Sequence, residues 1–262
     1  MNLSARDDWD THWEDYSQCA HNNPALEYRR RVIFSLLGLQ GSGDGIRLLD
    51  IGSGHGDMAA AIREGFPLTQ ILGLELSHSG IEISRTKVPG AHFVQRNLLD
   101  DSTPPEEQQG WATHAICSEV IEHVDDPCKL LTSARQYMRA GCKLVITAPG
   151  GPMSAFDRHI GHRKHYRINE IESLFQAAGY EPDRLTRAGF PFFNLYRSLV
   201  VLRGEKIVDD AKARENHPAS TPARLAMALF RPLLRFNLES SPWGWQMAAT
   251  GWARPRSSPT RG

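Results

Sequence analysis

Cysteine is scarce in this chain: Cys19, Cys117, Cys128 and Cys142 are the only four in 262 residues. No C-x-x-C pair occurs among them, so neither a zinc knuckle nor a disulfide framework is indicated. Two lie in apolar runs, where a free thiol serves as a small core side chain. Net charge is also missing, because Lys+Arg and Asp+Glu both number 30. No apolar run reaches the roughly 18 residues needed for a membrane-spanning helix. The opening MNLSARDDWD is acidic and lacks an apolar h-region, so no secretory leader is expected and the expected compartment is the cytoplasm. Internal repeats are absent. So are an RNA-binding motif and an aromatic-rich basic face, so nucleic acid is not the expected partner.

What is present suffices for one large core. The neutral total hides an asymmetry: from Arg184 onward there are 13 basic and 5 acidic residues. The first part is therefore acidic, and the basic remainder could face a membrane, a partner or an acidic substrate.

Apolar runs bounded by glycine predict buried strands at 46–52, 71–76, 91–98, 113–120 and 142–149. Helical spacing falls before and between them, at 24–39 and 127–139. Residues 168–180 read as a further helix, with Asn169 as N-cap and Gly179 as stop. Such alternation predicts an α/β fold with a doubly wound, mostly parallel sheet and helices on both faces. After it come apolar segments at 190–204 and 224–238 with spaced arginines, a polar linker at 205–223, and a strand-like WGWQMAATGWA at 243–253.

The most informative stretch is LLDIGSGHGD, residues 48–57. Gly52, Gly54 and Gly56 follow a strand directly, which lets backbone N–H groups approach a ligand. The dinucleotide fingerprint G-x-G-x-x-G is not met, because Asp57 stands at its third glycine. With Asp50 before it, the G-x-G-x-G loop resembles the first motif of class I S-adenosylmethionine-dependent methyltransferases. Glu75 at the end of the second strand and CSEVIEHVDDP at 117–127 agree in register. The resemblance covers roughly 45–180, includes the ubiquinone-type branch, and implies a seven-stranded Rossmann-like sheet with a helical insertion before the last strand.

It further implies S-adenosylmethionine as cofactor, held by Asp50, Gly52, Ser53, Gly54, Gly56, Glu75, Leu76, Asn97, Leu98, Ser118 and Glu119. Glu75 would take both ribose hydroxyls, since two adjacent donors suit one carboxylate. Asn97 stands where many members carry Asp beside the adenine. The implied division is a helical cap over 1–44, the cofactor-binding core over 45–188, a helical lid or insertion over 189–242, the last strand over 243–254 and a disordered tail over 255–262.

Methyl transfer is an in-line displacement in which positioning dominates. A hydroxyl acceptor also needs a base, and histidine suits that near neutral pH. FDRHIGHRKHYR, residues 156–167, follows the fifth strand and so arches over the carboxyl ends of the strands. His162 is the expected base, with His165 and His123 in reserve. The order of Gly161, His162 and Tyr166 resembles a loop of bacterial small-molecule methyltransferases. Arg158, Arg163 and Lys164 could clasp an anionic group, and Tyr166 and Phe192 are further candidate substrate contacts. Glu119, Glu122 and His123 resemble a divalent-metal motif, which His159, His162 or His165 could complete. The same EH also occurs in members without metal, so a metal is not the expected cofactor.

The expected activity is methyl transfer to a small molecule, on oxygen. N- or C-methylation, an RNA or protein acceptor, and a non-catalytic cofactor-binding subunit stay open. In the insertion, Arg224, Arg231 and Arg235 share one helical face, opposite Leu225, Leu229, Leu233 and Phe236, with Pro232 as a break. That face could pack inward as a lid, form a homodimer surface or lie on a membrane. At the front, Trp9, Trp13 and Tyr16 could fold across the cofactor, where aromatic faces attract a sulfonium.

Overall fold

The computed structural model describes residues 9–10, 24–100, 103–204 and 228–255. Trp13, Tyr16, Cys19, Arg224, Leu225 and the 205–223 linker lie outside the described residues.

Strands β1 (Arg47–Ile51), β2 (Gln70–Glu75), β3 (His92–Gln95), β4 (Ala112–Ser118), β5 (Met138–Pro149), β6 (Tyr180–Ala188) and β7 (Gln246–Ala253) form one seven-stranded sheet in the order β3-β2-β1-β4-β5-β7-β6. The first five run parallel, and β7 runs antiparallel to both β5 and β6. Alternate residues of each strand feed two separate apolar clusters, as the two-residue period of a strand requires. On one face Leu48, Ile71 and Ile116 meet α1 (Pro24–Leu37), α2 (Asp57–Gly65) and α3 (His78–Lys87). On the other, Leu49, Leu72 and Ala115 meet α4 (Pro127–Ala134) and α6 (Ile168–Ala177). The order reverses between β1 and β4, where an open α/β sheet leaves its ligand crevice.

Several boundaries differ from the sequence expectation. The third strand ends at Gln95, before Asn97 and Leu98. The 127–139 helix stops at Ala134, and one 3-10 turn (Arg135–Tyr137) leads straight into β5, because Tyr137 and Met138 are drawn into the core. Strand β6 was not anticipated: its run YEPDRLTRA is polar, carries Pro182 at a register shift, and lies at the sheet edge. Asn169 is not an N-cap, since α6 begins at Ile168 and Glu170 accepts the Arg167 N–H at 2.7 Å.

Between β6 and β7 stand α7 (Phe192–Leu202), a helical stretch at 228–233 and a 3-10 turn (Leu234–Phe236). The expected apolar face of this stretch is corrected. Phe230 and Leu234 turn inward, while Leu229 and Phe236 are exposed. Phe230 packs edge-on against Tyr196 of α7, and Arg31 of α1 donates to the Leu234 carbonyl at 2.7 Å, which together set the rotation. Among the described residues no helix is long and apolar enough to cross a membrane.

Candidate functional site

The glycine loop closes on β2 through its own backbone. Gly52 and Ser53 donate to the Leu74 carbonyl at 2.8 and 3.1 Å, and Gly54 donates to Glu75 Oε2 at 2.7 Å. Gly52 has φ 65°, and a Cβ there would stand 2.6 Å from Val120 Cγ2, so the turn admits no side chain. Gly56, at φ 79°, starts α2. Asp57 in the first turn of α2 binds Lys87 at 2.8 Å and His55 at 3.2 Å. Burial opposes its charge, but these partners hold its carboxyl well below the usual range.

Glu75 is buried, yet its carboxylate faces this loop. Oε1 accepts the Leu76 and Ser77 N–H groups, each at 2.9 Å. Burial raises its carboxyl despite these donors. Asp50 is buried as well, and burial plus the Glu75 charge pushes its carboxyl up to about 7. Asp50 Oδ2 has no hydrogen-bond partner. Beside Glu75, Asp10 Oδ1 accepts Ser77 Oγ–H at 2.6 Å and Ser79 N–H at 3.0 Å, while Trp9 stands edge-on to His123 with ring centroids 4.8 Å apart. Past β3, Asn97 Oδ1 accepts the Leu99 N–H at 3.0 Å and its amide donates to Asp100, which folds the loop, and Leu98 is buried in the core.

At the end of β4, Ser118 Oγ and Thr147 Oγ1 are 2.9 Å apart. Glu119 is, among the described residues, the one non-glycine with positive φ, at 55°. Strain of that kind persists where the surroundings fix it. Here Gln246 Nε2 donates to Glu119 Oε1 at 2.9 Å, and Arg29 of α1 lies 3.6 Å from Oε2. Glu122 is fully buried and neither carboxylate oxygen has a hydrogen-bond partner. Burial and, after it, the neighbouring Glu119 charge raise its carboxyl well above the usual range.

The roof descends from β5. Ser154 opens the short helix α5 (Ala155–His159), and Asp157 Oδ2 accepts both Ser154 N–H and Ser154 Oγ–H at 2.7 Å. The same oxygen takes Arg197 Nη2 of α7 at 2.8 Å. Burial opposes ionisation of Asp157, but Arg197 and Ser154 bring its carboxyl down to about 2. His162 Nδ1 lies 3.1 Å from His165 Nε2, and His165 Nδ1 lies 3.2 Å from the Gly151 carbonyl. The His162 ring stands perpendicular to His123 at 4.6 Å. Burial lowers His162 to about 4, against the pull of Asp157, and lowers His165 too. Both rings are neutral at pH 7.

The roof's cations and aromatics serve the fold. Arg163 pairs with Asp125, and Lys164 with Glu170 at 2.8 Å. Arg158 and His159 point outward and are exposed. The Tyr166 ring is part of the core and its hydroxyl donates to the Ile121 carbonyl at 3.1 Å. Burial pushes that phenol up to about 12, and the ring braces the loop from beneath. Phe192 packs at the start of α7 against the α1-side core.

Among the described residues, two groupings bring metal-capable atoms within 4.8 Å of one another: Glu122 with His123 and His162, and Asp157 with His162 and His165. The second is committed to hydrogen bonds and the Arg197 ion pair. The first gathers the buried Glu122 carboxylate with the rings of His123 and His162. Sequence reasoning missed Asp157, Arg197, Gln246 and Arg29. Only Asp157 carried a readable signal, the S-x-x-D spacing from Ser154 that marks a capping box.

A family model described as a methyltransferase domain matches residues 25–185. Trans-aconitate 2-methyltransferase of Acidovorax sp. (strain JS42) is 31% identical over 93 residues, covering 36% of this chain and 33% of that protein. Ubiquinone biosynthesis O-methyltransferase of Leptothrix cholodnii is 25% identical over 136 residues, covering 48% and 57%. The chain thus spans between a third and just over half the length of these two relatives. Among solved structures, a methyltransferase in complex with the Haloferax volcanii Trm112 methyltransferase activator superposes with TM-score 0.59 at 15% identity, over 94% of this chain and 98% of that one. Geranyl diphosphate C-methyltransferase from Streptomyces coelicolor gives 0.54 at 15% identity, over 87% and 80%. At such identities these two show the shared fold. With the domain match running over more than half its length and the glycine loop, Glu75 and the β4 segment in place, the chain belongs to the class I S-adenosylmethionine-dependent methyltransferase family.

Proposed function

We propose that this enzyme methylates the hydroxyl oxygen of a small molecule, with His162 as the general base. The observation that carries this reading is the setting of His162: buried and neutral, roofing the crevice at the carboxyl ends of β4 and β5, with Asp157 Oδ1 at 4.0 Å from its Nδ1.

The residues present fit the cofactor. The orphaned, buried Asp50 Oδ2 and the Glu75 carboxylate line the loop that admits no side chain at Gly52. Glu75 would hold the ribose hydroxyls, Asn97 the adenine edge, and Ser118 and Glu119 the methionine portion. When bound, S-adenosylmethionine supplies a methyl group on a cationic sulfur whose charge is lost on transfer. His162 receives the acceptor's hydroxyl proton, and the imidazolium so formed faces Asp157, which Arg197 and Ser154 keep ionised. Oxygen is supported by the relative whose name is an O-methyltransferase. The fold alone does not choose, since a phosphoethanolamine N-methyltransferase and a geranyl diphosphate C-methyltransferase share it.

The test is transfer of labelled methyl from S-adenosylmethionine to a panel of small phenols, hydroxy acids and amines. Methyl ethers should form. His162→Ala should bind the cofactor normally and lose about 100-fold or more in turnover. Undiminished turnover in that variant, or label only on amines, would overturn the reading.

A further inference from the structure

A neutral imidazole offers a bare nitrogen at one of two positions, and a base works only if the bare one faces its substrate. Three groups in the roof decide the matter for His162. The Gly151 carbonyl has no hydrogen to give, so at 3.2 Å it can only accept from His165 Nδ1. In a neutral ring, His165 Nε2 is then the bare nitrogen. It lies 3.1 Å from His162 Nδ1, which must therefore carry the hydrogen and donate it. Asp157 acts in the same direction: its carboxylate can only accept, and Oδ1 is 4.0 Å from that same Nδ1. His162 Nε2 is left without a proton.

We infer that His165 is a positioning residue that, anchored on the Gly151 carbonyl, fixes His162 as its Nδ1–H tautomer and makes Nε2 the atom that receives the acceptor's proton. The inference deepens the reading of His162 as base and rests on it. His165 touches neither cofactor nor acceptor in this account. Its Nε2 is 3.8 Å from Asp157 Oδ2, too far for a hydrogen bond, so its acceptor site is left to His162. The proton balance is simple: the acceptor O–H bond breaks, its hydrogen joins Nε2, and Nδ1 keeps the one it had. The resulting imidazolium donates from Nδ1 into His165, with Asp157 as counter-ion.

The chain order also explains why the loop carries two histidines three residues apart. At that spacing the backbone between His162 and Tyr166 turns back on itself: His162 N–H donates to the Asp157 carbonyl at 2.9 Å and Tyr166 N–H to the Pro149 carbonyl at 2.9 Å. Both rings are thus held from both ends of the loop.

Histidine-selective 15N NMR on the full chain, saturated with S-adenosylhomocysteine, reads the tautomer without knowledge of the acceptor. His162 should show a pyridine-like Nε2 and a protonated, pyrrole-like Nδ1. His165→Leu should turn that signal into a tautomer mixture and lower turnover about tenfold or more, with S-adenosylhomocysteine affinity unchanged within about twofold. His165→Gln, whose amide oxygen can accept from Nδ1, should restore the tautomer and most of the turnover. A wild-type His162 protonated on Nε2, or a tautomer indifferent to His165→Leu, overturns the inference. The wild-type spectrum decides even if His165→Leu does not fold. Full turnover in His162→Ala would instead strike the base reading, so the two failures are distinguishable.

Discussion

The Arg197–Asp157 pair ties the insertion before β7 to the loop that carries the histidines, and its strength can be worked out. Both side chains are buried, at 14% and 1% exposure, and the contact is 2.8 Å. The Asp157 carboxyl moves from 3.8 down to about 2, which corresponds to about 2 kcal/mol in favour of the ionised form. The sign follows from a depressed carboxyl: this stabilisation is fully present above pH 4 and is lost as the pH falls toward 2. Replacing Arg197 by Met at pH 7 leaves a buried carboxylate with only Ser154 as partner, and should destabilise the protein by about 3 kcal/mol. Adding Asp157→Asn removes that stranded charge while keeping an oxygen for the Ser154 N–H.

Urea denaturation of wild type, Arg197→Met, Asp157→Asn and the double variant completes the cycle. The double variant should be more stable than Arg197→Met alone, with a coupling of about 2 kcal/mol between the two positions. A coupling below roughly 0.5 kcal/mol would mean that the pair is an ordinary surface contact, and the argument that Arg197 keeps Asp157 ionised would fail.

Other consequences are simpler to state. Gly52→Ala forces a Cβ into Val120 at 2.6 Å with φ at 65°, so isothermal titration should show cofactor binding abolished, with a stability loss of at least about 1 kcal/mol. Glu122→Gln mimics the neutral acid and should leave turnover within about threefold and stability within about 1 kcal/mol, and turnover should survive chelation with EDTA. Collapse of activity in either experiment would point to a metal on Glu122, His123 and His162. Because His162 is held at about 4, a pH–rate profile should be flat from pH 6 to 8 as far as this group is concerned and should fall only as the pH drops through about 4, where the base is protonated.

The glycine loop was legible because its residues are local. Asp50, Gly52, Gly54 and Gly56 lie within one strand and turn, and backbone chemistry alone says what a glycine at φ 65° is for. Strands β1 and β2 were legible for a related reason: they are buried on both faces along nearly their whole length and read as short apolar runs. Strand β6 was not, since an edge strand with Pro182 and alternating charges shows no such run. The exact end of α4 was also hidden, because the apolar residues Tyr137 and Met138 that end the helical pattern belong to the strand that follows.

The acceptor half depends on contacts that no spacing announces. His162 and His165 were readable as histidines in a loop after the fifth strand, but the ring contacts that orient them come from Gly151, Asp157 and, through Asp157, from Arg197 forty residues away. Glu119 is held from two further directions, by Arg29 in the first described helix and by Gln246 at the start of the last strand. Each of these partners is an ordinary polar residue in its local sequence, and Arg29 sits in a run of three arginines whose other two bind Asp57 and the Leu234 carbonyl. The difference has a physical root. A glycine loop is built by the backbone of one turn, whereas the loop that carries His162 and His165, and Glu119 beside it, are held by elements converging from α1, α5, α7 and β7. Antiparallel β7 is what permits this, since it returns the chain from the insertion into the slot between β5 and β6 and places Gln246 beside Ala148 and Glu119.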